Sequence, residues 1–169
     1  MSEFDISATI VLVLAATAVL VYALALQAET RNPPIGKWVD VEGVRLHYLE
    51  KGFGEPLVLL HGNGTMIADW VLSGLAPVLA QRFRVIAIDR PGFGYTSRPR
   101  GRLWTPSAQA DLVRKILGRL GVERPIVIGH SWGTMVSLAL ALDHPHDVRG
   151  LVLLSGYYFP TGRADASRA

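Results

Sequence analysis

The stretch Ile126-Val127-Ile128-Gly129-His130-Ser131-Trp132-Gly133 decides how this chain folds. A short apolar run stops at Gly-x-Ser-x-Gly, and a helical pattern comes next at once. A serine placed on a turn between strand and helix needs glycine on both flanks, because the turn leaves no room for side chains there. Its hydroxyl is lifted above the end of the strand, and the backbone N–H of the next residue faces whatever carbonyl approaches. The bare pattern is weak, since glycine and serine are common residues. Bounded by a strand and a helix it becomes specific. About seventy residues upstream a second apolar run, Leu57-Val58-Leu59-Leu60, ends in His61-Gly62-Asn63-Gly64, the kind of loop that supplies a second backbone donor.

Outward from these two loops the chain alternates strand and helix. Lys37 to Val41 and Val44 to Glu50 read as a hairpin about Glu42-Gly43, with Val44, Leu46 and Tyr48 alternating against Arg45 and His47. Leu57 to Leu60 and Val85 to Ile88 are continuous apolar runs, expected of strands covered on both faces. Met66 to Gln81 reads as helical, though Gly74 and Pro77 interrupt it. Thr105 to Leu120 opens with a capping residue followed by proline and ends at Gly121. Pro125 to Gly129 feeds the serine turn, Trp132 to Asp143 leaves it as a helix, and Leu151 to Leu154 is a last strand. Such alternation implies parallel βαβ units with right-handed crossovers. No internal repeat or low-complexity tract interrupts it.

Ile6 to Leu26 is an uncharged apolar stretch of about 21 residues. As a helix it rises roughly 30 Å, enough to cross the hydrocarbon core of a bilayer. A retained membrane anchor is the preferred reading. A cleaved signal peptide competes through the small residues Ala23, Ala25 and Ala28, but Glu3 and Asp5 stand where a basic leader would carry lysine or arginine. A buried soluble helix ranks last, since no polar face is present. Arg31, Lys37 and Arg45 come after the span and no lysine or arginine precedes it. That asymmetry favours a cytoplasmic globular part, with a periplasmic or extracytoplasmic one as the alternative. The expected organisation is an anchor over residues 1–27, a linker over 28–36 carrying Pro33-Pro34, a globular region over 37–160 and a polar tail over 161–169.

The motifs taken together resemble the first half of an α/β-hydrolase-fold enzyme of the serine-nucleophile, esterase or C–C hydrolase-like branch. The matching residues are His61-Gly62-Asn63-Gly64, Asp89-Arg90-Pro91-Gly92-Phe93-Gly94, Gly129-His130-Ser131-Trp132-Gly133 and Val148-Arg149-Gly150-Leu151-Val152-Leu153-Leu154, in family order. The resemblance implies a lid, two further strands and closing helices after these. The expectation is therefore an α/β-hydrolase fold truncated after about the sixth strand and preceded by an N-terminal transmembrane helix. Its sheet edge at Leu151 to Leu154 is left for a partner or a second copy to cover.

By that resemblance Ser131 is the nucleophile, and the backbone N–H groups of Asn63 and Trp132 form the oxyanion hole. The family places acid and then histidine after the serine. Here the only downstream histidines are His144 and His146, in Asp143-His144-Pro145-His146-Asp147 at the far end of a helix about 18 Å long. They read as surface loop residues. His130 adjoins Ser131 but points elsewhere on a tight turn, His61 braces the oxyanion loop, Asp89 is structural, and Asp165 lies in the tail. Asn63 with Trp132 also resembles the halide-binding pair of haloalkane dehalogenases. That chemistry requires an aspartate nucleophile, so Ser131 favours ester-like or related carbonyl substrates; Trp132 packing over the helix start is the plainer alternative. Asn63-Gly64-Thr65 matches a glycosylation sequon by coincidence. A non-catalytic module that keeps the serine turn without acid and base is the second reading of the chain.

Composition narrows the remainder. Its 169 residues suit one domain, and a net charge of +3 with scattered arginines gives no nucleic-acid footprint. The absence of cysteine excludes disulfides and thiolate metal sites. No cofactor or metal is expected, and the partners are a small ester-like molecule and the membrane.

Overall fold

The computed structural model describes residues 3–156 and Tyr158; Asp165 and the expected tail over 161–169 lie outside the described residues. The chain divides into two units at Pro34 and Ile35. The first is a single helix, α1 (Glu3–Arg31), exposed along its described length. It continues past Leu26 because Gln27-Ala28-Glu29-Thr30-Arg31 are tolerable helix formers. The helix stops where Pro33-Pro34 removes two backbone donors. The non-helical connector is thus only residues 32–36, shorter than the expected linker.

The second unit opens with β1 (Lys37–Val41) and β2 (Val44–Lys51), an antiparallel hairpin turning at Glu42-Gly43 with positive φ at both. Then come β3 (Pro56–Leu60), α2 (Ile67–Leu72), α3 (Leu75–Leu79), β4 (Arg84–Ile88), α4 (Pro106–Arg119), β5 (Ile126–His130), α5 (Gly133–Asp143) and β6 (Gly150–Leu154). The single helix expected from Met66 to Gln81 is two. Gly74 sits at φ 78° and breaks it, while Pro77 falls in the first turn of α3, where a missing N–H costs nothing. Thr105 caps α4 by accepting from the Ala108 N–H.

The six strands lie in the order β1-β2-β4-β3-β5-β6, parallel from β4 to β6. Leu57, Leu59, Val85, Ala87 and Ile128 face α2 and α3, while Val58, Leu60, Ile86, Ile88 and Val127 face α4 and α5. Both faces of the central strands are dry, as the unbroken apolar runs require. From β3 the chain steps one way to β4, and from β5 it steps the other way to β6. The order reverses between β3 and β5, and a crevice opens outside their carboxyl ends at such a reversal. The loops that begin at His61 and Ser131 leave from those two ends.

Candidate active site

Ser131 comes directly after β5 at φ 50°, a left-handed conformation that costs a non-glycine residue about 1–2 kcal/mol. The surroundings enforce it. The Ser131 N–H donates to the Leu154 carbonyl at 2.8 Å, and the Ser131 carbonyl accepts from both the backbone N–H and the hydroxyl of Thr134. A Cβ at Gly129 would lie 2.8 Å from the Thr134 Cα, and one at Gly133 would overlap the Leu60 carbonyl oxygen. The glycines therefore let α5 start directly against the end of β3. Gly62 touches the serine itself: a Cβ there would meet the Ser131 Cβ at 3.0 Å. The two loops singled out in the sequence are in contact.

Arg90 holds the upstream loop, a role its place in the sequence did not announce. Its guanidinium is buried, 1% exposed, and donates from Nε to the His61 carbonyl at 2.8 Å. Nη2 donates to the Gly62 carbonyl at 2.8 Å and to Asn63 Oδ1 at 2.9 Å, and Nη1 to Gln109 Oε1 at 3.2 Å. The Phe93 and Trp132 rings lie 4.6 and 4.7 Å from its carbon. Trp132 therefore stacks on the cation that fixes Asn63, and one side chain ties both loops together. The sequence signal was its place, two residues after a buried strand, in the motif Asp89-Arg90-Pro91-Gly92-Phe93-Gly94, which says nothing of its partners.

His61 does brace this loop. Its Nδ1 lies 2.7 Å from the Gly62 carbonyl, and Nε2 accepts the Arg90 backbone N–H at 3.0 Å, so the ring proton belongs on Nδ1. Burial pushes its pKa from the usual 6.5 to about 4. Asp89 is a structural hub: Oδ1 accepts from the Ile67 N–H, and Oδ2 accepts from the Tyr95 N–H and from His47 Nδ1 at 2.7 Å. His47 Nε2 in turn accepts from the Gly36 N–H.

None of the other histidines is hydrogen-bonded to the serine hydroxyl among the described residues. His130 stands edge-on to Trp70, their rings 6.3 Å apart. His144, at the end of α5, lies 2.8 Å from Asp111 on α4, and His146 is exposed in the adjoining 3-10 turn. The Ser131 hydroxyl and the backbone N–H groups of Asn63 and Trp132 have no hydrogen-bond partner among the described residues. No cluster of metal-ligating side chains occurs among them either. A surface groove of about 500 Å³ lies between Arg114, Val122 and Asp147, and none of its lining residues belongs to the serine's surroundings.

The alpha/beta hydrolase fold family model matches residues 55–168. The chain belongs to the alpha/beta hydrolase family. It is 36% identical over 138 residues to a 2-hydroxymuconate semialdehyde hydrolase of Pseudomonas sp. strain CF600, covering 80% of this chain and 49% of that protein. It is 33% identical to haloalkane dehalogenase 2 of Mycobacterium bovis, over 73% of this chain and 43% of the relative. Among solved structures it superimposes on the meta-cleavage product hydrolase of Pseudomonas fluorescens IP01 with a TM-score of 0.69 at 33% identity, covering 74% of this chain and 46% of that one. The chain spans about half the length of the hydrolases it matches.

Proposed function

We propose that this alpha/beta hydrolase chain presents Ser131 as the nucleophile of an acyl-transfer site for ester-like or related carbonyl substrates. The observation that carries the reading is Ser131 held at φ 50° at the strand-order reversal, with Gly62 packed against it. The hydroxyl would add to a substrate carbonyl and give its proton to a base. The Trp132 and Asn63 N–H groups, free of protein acceptors among the described residues, would receive the oxyanion. Each such donor is worth about 3–4 kcal/mol in the transition state. A serine at this position also argues against the alkyl-ester intermediate that dehalogenation requires, despite the mycobacterial relative.

No histidine is hydrogen-bonded to Ser131 among the described residues: His47, His61 and His144 are hydrogen-bonded elsewhere, His130 stands edge-on to Trp70, and His146 is exposed at the far end of α5. Turnover by the chain alone should therefore be poor, limited to what the oxyanion hole and binding provide, roughly 10³–10⁴-fold over water. The same observation favours a second reading, a non-catalytic module that keeps the serine turn. Chemical rescue separates the two. Added imidazole should give hydrolysis of an activated ester above its own background, abolished by Ser131→Ala. No gain with imidazole, or a gain that Ser131→Ala leaves intact, would favour the module.

We further propose that α1 anchors the chain, with the hydrolase region on the cytoplasmic side by its lysine and arginine bias. The edge of β6, unpaired among the described residues and with Val152 and Leu154 41% and 37% exposed, is the place for further polypeptide or a second copy to pair.

A further inference from the structure

The segment 97–102 reads Ser-Arg-Pro-Arg-Gly-Arg, three arginines without an acid. The structure lays it along the start of β2. The Arg45 N–H donates to Ser97 Oγ at 2.9 Å, and the Ser97 N–H donates to the Arg45 carbonyl at 3.0 Å. Arg45, Arg98 and Arg100 are exposed, and Arg102 is half-buried. Two of the guanidiniums rest on indoles: Arg45 lies 4.3 Å from the Trp38 ring and Arg102 lies 4.7 Å from the Trp104 ring. Leu103, between Arg102 and Trp104 in sequence, is 84% exposed. The acids nearby are Asp40, opposite Arg45 in the hairpin, and Glu42, already paired with Arg102 and Lys115.

We infer that this surface docks on anionic phospholipid headgroups. Clustered arginines are drawn to an anionic leaflet, and the exposed Leu103, with the half-buried Trp38 under Arg45, suits the headgroup boundary, while the buried Trp104 only supports Arg102 from beneath. The hairpin that carries Trp38 and Arg45 starts after a connector of only five residues, 32–36, which spans at most about 18 Å. This rests on the proposal that α1 is a membrane anchor, which would keep the arginines at high effective concentration beside headgroups. A nucleic acid would satisfy the charges but would leave Leu103 in water.

The chain has no cysteine, so a single Leu103→Cys carries an environment-sensitive fluorophore without background. Leu72→Cys, 84% exposed on α2 against the opposite face of the sheet, is the control. The full chain is reconstituted into lipid discs of phosphatidylcholine, with or without phosphatidylglycerol. The expected result is a blue shift, with quenching by brominated lipid, at position 103 in anionic discs only. High salt and the pair Arg98→Glu with Arg100→Glu should abolish it, while position 72 stays unchanged. A label at 103 that stays in water in both discs, or an equal shift at 72, overturns the proposal. So does a shift that needs polyuridylate rather than anionic lipid, which would assign the surface to nucleic acid. Failure of the chain to co-elute with the discs is seen before any label is read; it would refute the anchor and the docking with it.

Discussion

Replacing Arg90 by methionine keeps most of the side-chain length and removes the fork that ties the two site loops together. Four hydrogen bonds go, but their losses are unequal. The Gly62 carbonyl stays within reach of His61 Nδ1 at 2.7 Å and Thr65 Oγ1 at 3.2 Å, and Asn63 is exposed and can turn to water. The His61 carbonyl and Gln109 Oε1 are buried and lose the guanidinium. Each such acceptor costs about 1–3 kcal/mol when stranded, and the lost stacking on Phe93 and Trp132 adds about 1 kcal/mol. Relief from burying a cation offsets part of this. The net loss is about 3 kcal/mol, or about 10 °C in melting temperature for a unit of this size. Near-ultraviolet circular dichroism of the detergent-solubilised full chain measures it, and Arg90→Lys should fall between wild type and Arg90→Met because one ammonium cannot reach all four acceptors. A loss under about 1 kcal/mol for Arg90→Met would refute the argument and show that the loop holds itself.

Acid should weaken the same loop. His61 is held neutral with a pKa of about 4 against 6.5 unfolded, so the unfolded chain binds more protons between those values. Stability is then level above about pH 7 and falls by up to roughly 3 kcal/mol as pH drops from 6.5 toward 4; denaturant midpoints that fall as steeply in His61→Gln would contradict this. Gly133→Ala should cost at least about 2 kcal/mol, since the new methyl meets the Leu60 and His61 carbonyls, while Gly150→Ala, with open space around it, should be neutral within about 0.5 kcal/mol. Equal melting temperatures for the two variants would remove the close approach of α5 to β3 from the account. Carbonate washing of membranes should leave the uncleaved chain in the pellet, and its full release would end the anchor reading.

The strands and their boundaries were readable to within a residue or two, because buried parallel strands need continuous apolar runs such as Leu57-Leu60 and Val85-Ile88, and local turn chemistry marks their ends. The serine turn was readable for the same reason: Gly129 and Gly133 are needed by local geometry alone. Fold class and an N-terminal helix long enough to span a bilayer came from such short-range constraints, while the pairing of Ser131 with the His61 loop was implied only by the family resemblance. The helix end at Arg31 and the break at Gly74 were less legible, since marginal helix formers and a single glycine adopt whichever state their neighbours along the chain impose. What only the tertiary structure decided are the long-range pairings. Arg90 reaches back 28 residues to the Gly62 carbonyl and forward to Trp132, Asp89 binds His47 across 42, and Ser97 joins three arginines to the hairpin 52 residues earlier. No local pattern encodes these contacts, because a buried polar group must find a partner and strand order chooses which one is near.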